Sequence, residues 1–584
     1  VQSAADAGDA AALLAAVPAG RRVALVDPRF VGHLHALRLA LTDPRFPAAT
    51  VTGALTAQPE ARGALLRALH RTTAAVGAGA PVVDPDTDPA PEDRTVPGRI
   101  AVALEAEGVA VQRPALGSLV AAVPTGPEQE AAAVAGLTSV DDEAVRLRSA
   151  VKAHDGFFTT FAISPYSRYI ARWCARRGLT PNQVTTASLI TALIAAGGAA
   201  TGTRGGYIAA GILLLVSFVL DCTDGQLARY SLQYSTMGAW LDATFDRAKE
   251  YAFYAGLAIG AVRGGDDVWT LALGAMVLQA CRHVVDFSFN EANHDAVANT
   301  SPTAALSDRL DSVGWTVWAR RMIVLPIGER WAMIAVLTAF TTPRTVFYAL
   351  LVGCSLAACY TTAGRLLRSL TRRAERTDRA ARALADLADS GPLAQGVAAV
   401  APGLRGAFTA PAAALLGALA MIGSALFLPY GSWLTVAAAG VYVILSGLAV
   451  ARPLKGALDW LVPPFFRAAE YVTILVLAAR SDVPHAVPAA FGLVSAVAYH
   501  HYDTVYRIRG GTGAPPQWLV RTIGGHEGRT ALVAVLAAVL THASGFTTAL
   551  TALAVAVALV VLVESIRFWV SSSAPAVHDE GELA

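Results

Sequence analysis

Asp221-Cys-Thr-Asp224-Gly225-Gln-Leu-Ala228-Arg229, followed after eight residues by Gly238-Ala-Trp-Leu-Asp242-Ala-Thr-Phe-Asp246, is the stretch that decides how this chain is read. Asp221 and Asp224 are three positions apart and Asp242 and Asp246 four, so on helices each pair shares a face and the two pairs can converge across a short turn. Both segments lie in apolar stretches, near 206–228 and 238–262, that approach the ~20 residues a spanning helix needs. An ionised Asp at the centre of a membrane helix costs roughly 2.5–3.5 kcal/mol on insertion scales, so four together call for cations or water. With no thiolate or imidazole among the four, the donor set suits Mg²⁺ or Mn²⁺ rather than zinc. A pair of such ions, about 4 Å apart, can bridge a diphosphate, neutralise a leaving phosphate and align an attacking hydroxyl. Gly225 and Gly238 clear the backbone where a nucleotide would approach, and Arg229 is placed to reach phosphate oxygens.

Working outward, the 584 residues are 54% hydrophobic and only 15% charged. With a mean hydropathy of +0.47 the apolar residues are expected to face lipid. A net charge of only +2 gives no electrostatic footprint for nucleic acid, and none is expected as a partner. The five cysteines contain no CxxC pair and mostly fall in apolar segments, as small hydrophobes do. No basic-then-apolar leader is read near Val1, whose place at the start is expected to reflect trimming or numbering.

The expected fold class is mainly α: a polytopic helical membrane protein of about twelve spans, arranged as two six-helix repeats, preceded by a soluble α/β domain. Residues 1–150 form that domain, with a strand at Val23 to Asp27 and a solvated loop from Pro81 to Pro97. Ser164 to Gly178 sets four arginines among aromatic residues, the pattern of an interfacial helix. It opens a membrane domain over 157–370, followed by a linker at 371–407, a second membrane repeat at 408–571 and a tail at 572–584. Expected spans lie near 183–202, 206–228, 238–262, 267–290, 329–342 and 345–366, then 408–427, 432–451, 458–480, 485–506, 529–544 and 547–570. Arg-rich connections at 307–330, 365–383 and 507–529 fall on the side of the amino-terminal domain, which the positive-inside rule makes cytoplasmic. The chain is therefore expected in the cytoplasmic membrane with its acids facing the cytoplasm.

The two sets of helices look related. Leu241-Asp-Ala-Thr-Phe-Asp-Arg-Ala-Lys-Glu-Tyr251 aligns without gaps on Leu461-Val-Pro-Pro-Phe-Phe-Arg-Ala-Ala-Glu-Tyr471, and His283/Asp286 recurs as His500/Asp503. Val462 and Phe466 replace Asp242 and Asp246, so the second repeat is degenerate and cannot build the same metal site. Arg467, Glu470, His500, His501 and Asp503 are expected to form a buried ion network. In the first repeat, Arg247, Lys249, Glu250, Arg282, His283 and Asp286 are read either as an acceptor-phosphate pocket or as interhelical pairs. Arg320 and Arg321, beside Trp315 and Trp318, are read either as binders of phosphate or anionic lipid or as the ordinary charge bias of a cytoplasmic loop.

The pattern D-x2-D-G-x2-A-R-x8-G-x3-D-x3-D resembles the signature of the CDP-alcohol phosphotransferase family at every fixed position. Leu179-Thr-Pro-Asn182-Gln-Val-Thr185 is similar to that family's entry into its first spanning helix. The resemblance implies two divalent cations on Asp221, Asp224 and Asp242, with Asp246 as base and further ligand, and a CDP pocket at Gly225, Ala228, Arg229, Gly238 and Asn182. It implies transfer of a phospho-alcohol group from a CDP-alcohol, either a CDP-polyol or CDP-diacylglycerol, to an acceptor hydroxyl, with release of CMP. A phosphorylated polyol is the favoured acceptor, because the order of a soluble part, Lys152-Ala-His-Asp155-Gly156 and a membrane domain is similar to fused cytidylyltransferase/di-inositol-phosphate-phosphate synthases. Pro28-Arg29-Phe30 stands where a cytidylyltransferase would need a Gly-rich phosphate loop, so the first domain resembles at most a degenerate relative. The family resemblance implies a homodimer, unless the second repeat replaces the partner subunit. Two other classes stay open at this point: a transporter built from duplicated helices, and a non-catalytic lipid-binding scaffold.

Overall fold

The computed structural model describes residues 2–77, 95–152, 155–294, 323–371, 376–401, 403, 406, 408–540 and 544–571. Most of the Pro81–Pro97 loop, Arg320, Arg321 and the 572–584 tail lie outside the described residues. Helices dominate.

In the first 150 residues, helices α1 (Ala7–Ala16), α2 (Leu34–Leu41), α3 (Arg62–Gly77), α4 (Val96–Ala106), α5 (Pro127–Ser139) and α6 (Asp142–Ser149) surround small sheets. β1 (Val23–Val26), β3 (Ala48–Val51), β4 (Ala54–Ala57) and β5 (Val111–Gln112) make a four-stranded sheet in the order β1-β4-β3-β5, and β2 (Val31–Gly32) pairs with β6 (Ala121–Ala122). β3 and β4 are antiparallel across a turn whose Gly53 has φ +81°, a conformation glycine adopts without steric penalty. Both strands are buried on both faces, and Leu55, Leu65, Leu69, Ile100 and Leu104 form the core between sheet and helices.

The remaining helices follow in two sets. A surface helix α7 (Ser164–Arg176) leads into α8 (Pro181–Ala200), α9 (Arg204–Ser231), α10 (Thr236–Arg263), α11 (Trp269–Asn293), α12 (Ile327–Phe340) and α13 (Pro343–Thr371). Two short helices, α14 (Asp378–Ala388) and α15 (Pro392–Val400), lead into α16 (Thr409–Phe427), α17 (Trp433–Val450), α18 (Val462–Arg480) and α19 (Ala486–Arg509). The short α20 (Gln517–Ile523), α21 (Gly525–Val539) and α22 (Gly545–Ser571) complete the chain. All twelve stretches read as spans from the sequence thus fold as helices, and seven of them are long and apolar enough to cross a membrane. α12 and α21 stop at 14 and 15 residues, while α10, α11 and α19 are long but carry many ionisable side chains.

Close approach of backbones holds the first set together. A Cβ on Gly256 would lie 2.4 Å from the Ala196 carbonyl oxygen, and one on Gly260 2.1 Å from that of Ala199, so α10 crosses α8 through a Gly-x-x-x-Gly face against alanines. On the other side of α9, Gly211 meets the Ala335 carbonyl of α12 in the same way. The same neighbours touch in both sets. First packs on second and third (α8 on α9 and α10; α16 on α17 and α18), second on fifth (α9 on α12; α17 on α21) and fourth on sixth (α11 on α13; α19 on α22). The short helix ahead of each set, α7 or α15, lies on its second helix. α11 joins the sets, with α13 on one side and α18 and α19 on the other.

The amino-terminal domain is bound to the membrane helices through α6 and the α9–α10 turn. Arg146 donates through Nε to the Tyr230 carbonyl at 2.7 Å and covers the Tyr230 ring at 3.6 Å, and Arg45 lies 4.1 Å from the centre of the Tyr234 ring. His35 is buried beneath this contact, its imidazole pushed down to about 4 by burial and by Arg146 and Arg38. The folded domain therefore holds His35 neutral, while an unfolded chain protonates it from about pH 6.5 downwards. Thermal stability of this domain is expected to fall as pH drops from about 6.5 towards 4, and His35→Gln should flatten that slope in melts recorded across the range. Gly260→Ala, which drives a methyl group into the Ala199 carbonyl, is expected to cost about 1–3 kcal/mol, read as a lowered Tm of the detergent-solubilised protein.

Candidate active site

Local sequence fixes the two helices that carry the acids. Thr180 caps α8, accepting from the Gln183 N–H while Gln183 returns a bond to the Thr180 N–H, with Pro181 at the first helical position. α9 ends where Leu232 turns left-handed at φ 54°, and α10 begins where Ser235 accepts from the Gly238 N–H at 2.9 Å. The intervening turn is so short that the end of α9 faces the start of α10.

Across that turn, carboxylate oxygens of Asp221, Asp242 and Asp246 lie within 4.8 Å of one another. Asp224, one turn further along α9, is outside this group; it is 3% exposed and its Oδ2 has no hydrogen-bond partner. Lys249 enters the cluster from below. Fully buried, it pairs with Asp221, donates to Asp246 Oδ1 at 3.1 Å and to Ser188 Oγ at 3.1 Å, and lies 5.8 Å from the centre of the Trp331 ring. Lys249 is the ammonium in direct contact with the acids, and with an Asp224 oxygen unpartnered the all-carboxylate donor set fits a hard divalent cation. Asp221, Asp242 and Asp246, with Asp224 nearby, are the residues that would hold it. Read from the sequence either for the acceptor side or as an interhelical pair, Lys249 makes the interhelical pair, with Asp221. Its position three residues after Asp246 and seven after Asp242 puts it on their helical face, a signal the sequence does contain.

The residues read as a nucleotide pocket gather at the same end. A Cβ on Gly238 would meet Asn182 Oδ1 and Ser235 Oγ, both at 2.8 Å, so the missing side chain lets the carboxamide of α8 close on α10. Ala228 is buried, while a Cβ on Gly225 would find only the Arg229 guanidinium, no nearer than 3.5 Å. Arg229 donates through Nε to the Ala150 carbonyl at 2.6 Å, so the last turn of the amino-terminal domain orients this motif arginine.

On the opposite side of Asp246, the residues read for the acceptor are interlinked. Glu250 accepts from Arg247 at 3.0 Å, from Arg330 of α12 at 3.2 Å and from the Tyr254 hydroxyl at 2.7 Å. Arg365 of α13 pairs with Asp286, and Arg282 donates to the Val324 carbonyl. Nε of Arg247 and Nε and Nη1 of Arg282 are buried with no oxygen partner, the Cys354 thiol lying beside Arg282, so these guanidinium nitrogens could turn to an anion. His283 is less available, since Nε2 meets Gln279 at 2.6 Å and Nδ1 the Tyr502 hydroxyl of α19. Arg330 and Tyr502 escape a reading of sequence because 80 and 219 residues separate them from the side chains they touch.

The second set holds a buried ion network that takes in Arg467, Glu470 and His500 of the five residues expected and adds Asp389 and Arg529, while Asp503 pairs separately with Arg507. Arg467 pairs with Glu470 and Asp389, both at 2.9 Å, Arg529 with Glu470 at 2.6 Å and Asp389 at 2.8 Å, and His500 with Asp389 at 3.0 Å. His501 lies apart, buried with both ring nitrogens unpartnered. Arg330–Glu250 in the first set and Arg529–Glu470 in the second join the same pair of helices, the fifth and the third. Glu329 and Glu527 also act alike, the former accepting from the Phe158 N–H at 3.2 Å and the latter from those of Gly391 and Ala394 at 3.0 Å. Where the first set has its acids, Phe466 stacks on His526 at 4.1 Å, and His526 Nδ1 meets the Tyr442 hydroxyl at 2.6 Å.

Residues 178–342 match the family described as CDP-alcohol phosphatidyltransferase, and residues 378–584 match a family of unknown function. An archaetidylinositol phosphate synthase of Pyrococcus horikoshii is 32% identical over 113 residues, 19% of this chain and 58% of the relative. A phosphatidylinositol phosphate synthase of Streptomyces avermitilis is 32% identical over 127 residues, 20% of this chain and 50% of the relative. A bifunctional IPC transferase and DIPP synthase of Aquifex aeolicus is 32% identical over 118 residues, 19% of this chain and 26% of the relative. The chain thus spans about half the length of the first two relatives and a quarter of the third. The four-aspartate helices and their neighbours, residues 178–342, are a CDP-alcohol phosphatidyltransferase domain.

Proposed function

We propose that this chain transfers the phospho-alcohol group of a CDP-alcohol to a hydroxyl of a phosphorylated polyol, inositol phosphate being the favoured acceptor, and releases CMP. The observation that carries the reading is the convergence of Asp221, Asp242 and Asp246 inside the matched domain. Bound Mg²⁺ or Mn²⁺, two ions as the family resemblance implies, would neutralise the diphosphate and favour departure of CMP. Asp221, Asp224 and Asp242 are the proposed ligands, and Asp246 is the proposed base and further ligand. Asp246 takes the proton of the acceptor hydroxyl, whose oxygen attacks the phosphorus that bears the alcohol in line with the departing CMP. Lys249 holds Asp221 and Asp246 in register from beneath. Gly225, Ala228, Arg229, Gly238 and Asn182 are proposed to cradle the CDP moiety.

The acceptor's phosphate is assigned to the guanidinium groups of Arg247 and Arg282, one helical turn or less from the base on α10 and across from it on α11. His283 and Lys249 support this pocket by holding Arg247 and Asp246. Two of the relatives named above carry inositol phosphate in their names, which supports a polyol phosphate as acceptor and leaves CDP-diacylglycerol and a CDP-polyol as the donors to be compared. The twelve helices are proposed to span the cytoplasmic membrane as two repeats of one packing plan, with residues 1–150 and the acids on the cytoplasmic face, where nucleotide is available.

Purified protein given CDP-diacylglycerol or CDP-inositol, with inositol 1-phosphate, is expected to release CMP from one of the two donors. EDTA should abolish release and Mg²⁺ or Mn²⁺ restore it; solute uptake by sealed vesicles without CMP in any arm would instead favour a carrier. Asp246→Asn is expected to lower kcat by about 10²–10⁴-fold with the fold intact by size exclusion. Arg282→Ala should raise KM for inositol 1-phosphate by about tenfold or more while leaving KM for the donor near its original value, as loss of a charge-assisted phosphate contact requires.

A further inference from the structure

Two contacts from the second set of helices bracket α10, and the reaction proposed above uses neither. Trp569, near the end of α22, stacks on Trp240 with ring centroids 5.9 Å apart and planes 19° apart. Trp240 lies between Gly238 and Asp242, two residues ahead of the first acid of α10. Trp569 is itself fixed, its Nε1 donating to Asp503 Oδ1 at 2.7 Å. The same oxygen accepts from Ser565 at 2.8 Å, and Arg507 pairs with Asp503 at 2.8 Å and with Glu564 at 2.6 Å. The second contact is Tyr502 of α19. Its hydroxyl meets His283 Nδ1, its ring lies 5.3 Å below the Arg247 guanidinium, and it packs edge-on against His283 and Phe287 at 5.7 and 6.0 Å. Arg247 follows Asp246 directly, so the second set grips α10 just before one acid and just after another.

The second set has no acids at the matching positions, yet it keeps a dense array of buried ion pairs. Such pairs return little net stability once desolvation is counted, and their better attested use is to fix one arrangement among several. Here the arrangement they fix is that of Trp569 and, on the same helix as Asp503, Tyr502. The face of α11 that packs on α18 and α19 is also filled by this set, so no second copy of the chain is needed to support α10 and α11 there.

We propose that residues 462–571 are a non-catalytic positioning unit for the active site of the first set, with Trp569 and Tyr502 as its two points of action on α10. Trp569 sets the register of Asp242 and Asp246 against α9, and Tyr502 sets the Arg247 guanidinium that faces the acceptor phosphate. This rests on the transferase reading above.

The full chain, purified in detergent, tests the proposal by CMP release with the donors and acceptor already named and, independently of turnover, by the Mn²⁺ dissociation constant from electron paramagnetic resonance. Tyr502→Phe, which removes one oxygen atom, is expected to raise KM for inositol 1-phosphate about fivefold, with KM for the donor and kcat each within about twofold of wild type. Trp569→Ala is expected to weaken Mn²⁺ binding and lower kcat by about tenfold, and Trp569→Phe, which keeps a stacking ring, to recover most of both. Wild-type values for Tyr502→Phe and Trp569→Ala in all these readouts would overturn the proposal. So would losses that follow the drop in Tm equally in Trp569→Ala and Trp569→Phe. If Trp569→Ala does not fold, the Tyr502→Phe split between the two KM values decides. Should the wild type release no CMP from any pair, the transferase reading fails by itself. The Mn²⁺ constants of the Trp569 variants then decide separately, a loss confined to Ala supporting the positioning role and unchanged binding removing it.

Discussion

Buried negative charge is the constraint around which the structure is arranged. Asp221 and Asp224 on α9 and Asp242 and Asp246 on α10 sit in helices otherwise built for an apolar surrounding, and each ionised carboxylate there is costly unless compensated. Lys249 supplies one compensating charge, at zero exposure and in contact with two of the acids. Arg229 and Arg247 act on the acids from further off, and the carboxylate oxygens left without a contacting cation suit a divalent ion. Everything that holds α9 against α10 serves this requirement: the four-residue turn, the glycine face of α10 on α8, the seat of Gly211 on α12 and the capping serine at 235.

A second layer of charge surrounds the first and is of opposite sign. Arg247, Arg282, Arg330 and Arg365 converge from α10, α11, α12 and α13, with Glu250 and Asp286 balancing only part of them. An acid cluster on one side and a cationic excess on the other set two opposite fields side by side, one attracting cations and the other anions. The sign change takes place between Asp246 and Arg247, adjacent residues pointing to different sides of one helix.

Much of this was legible in sequence. The spacing of the aspartates gave their shared faces, and hydropathy located every long helix to within a few residues, because both signals are local and periodic. The aligned segments around Leu241 and Leu461 named Arg247, Glu250, Arg467 and Glu470 but not their pairing, which runs within each helix at i and i+3. Arg330, Asp389, Tyr502 and Trp569 were not legible, because each acts across helices far from it along the chain, the shortest of these separations being the 78 residues from Asp389 to Arg467. Lys249 marks the middle ground: its helical face followed from its number, but whether a lysine there faces acids or substrate depends on how closely α9 approaches.

The aromatic stack of the second set closes off a return path. Two substitutions at 462 and 466 would restore the carboxylates of its third helix, but α17 offers no acid to meet them, and the phenyl, imidazole and phenol rings now occupy the volume where ions and a nucleotide would have to lie. Recovering chemistry there would mean emptying a packed core and refilling it with charge at once, each half of the change being harmful without the other. Single substitutions in this part of the chain are therefore held back by its own packing.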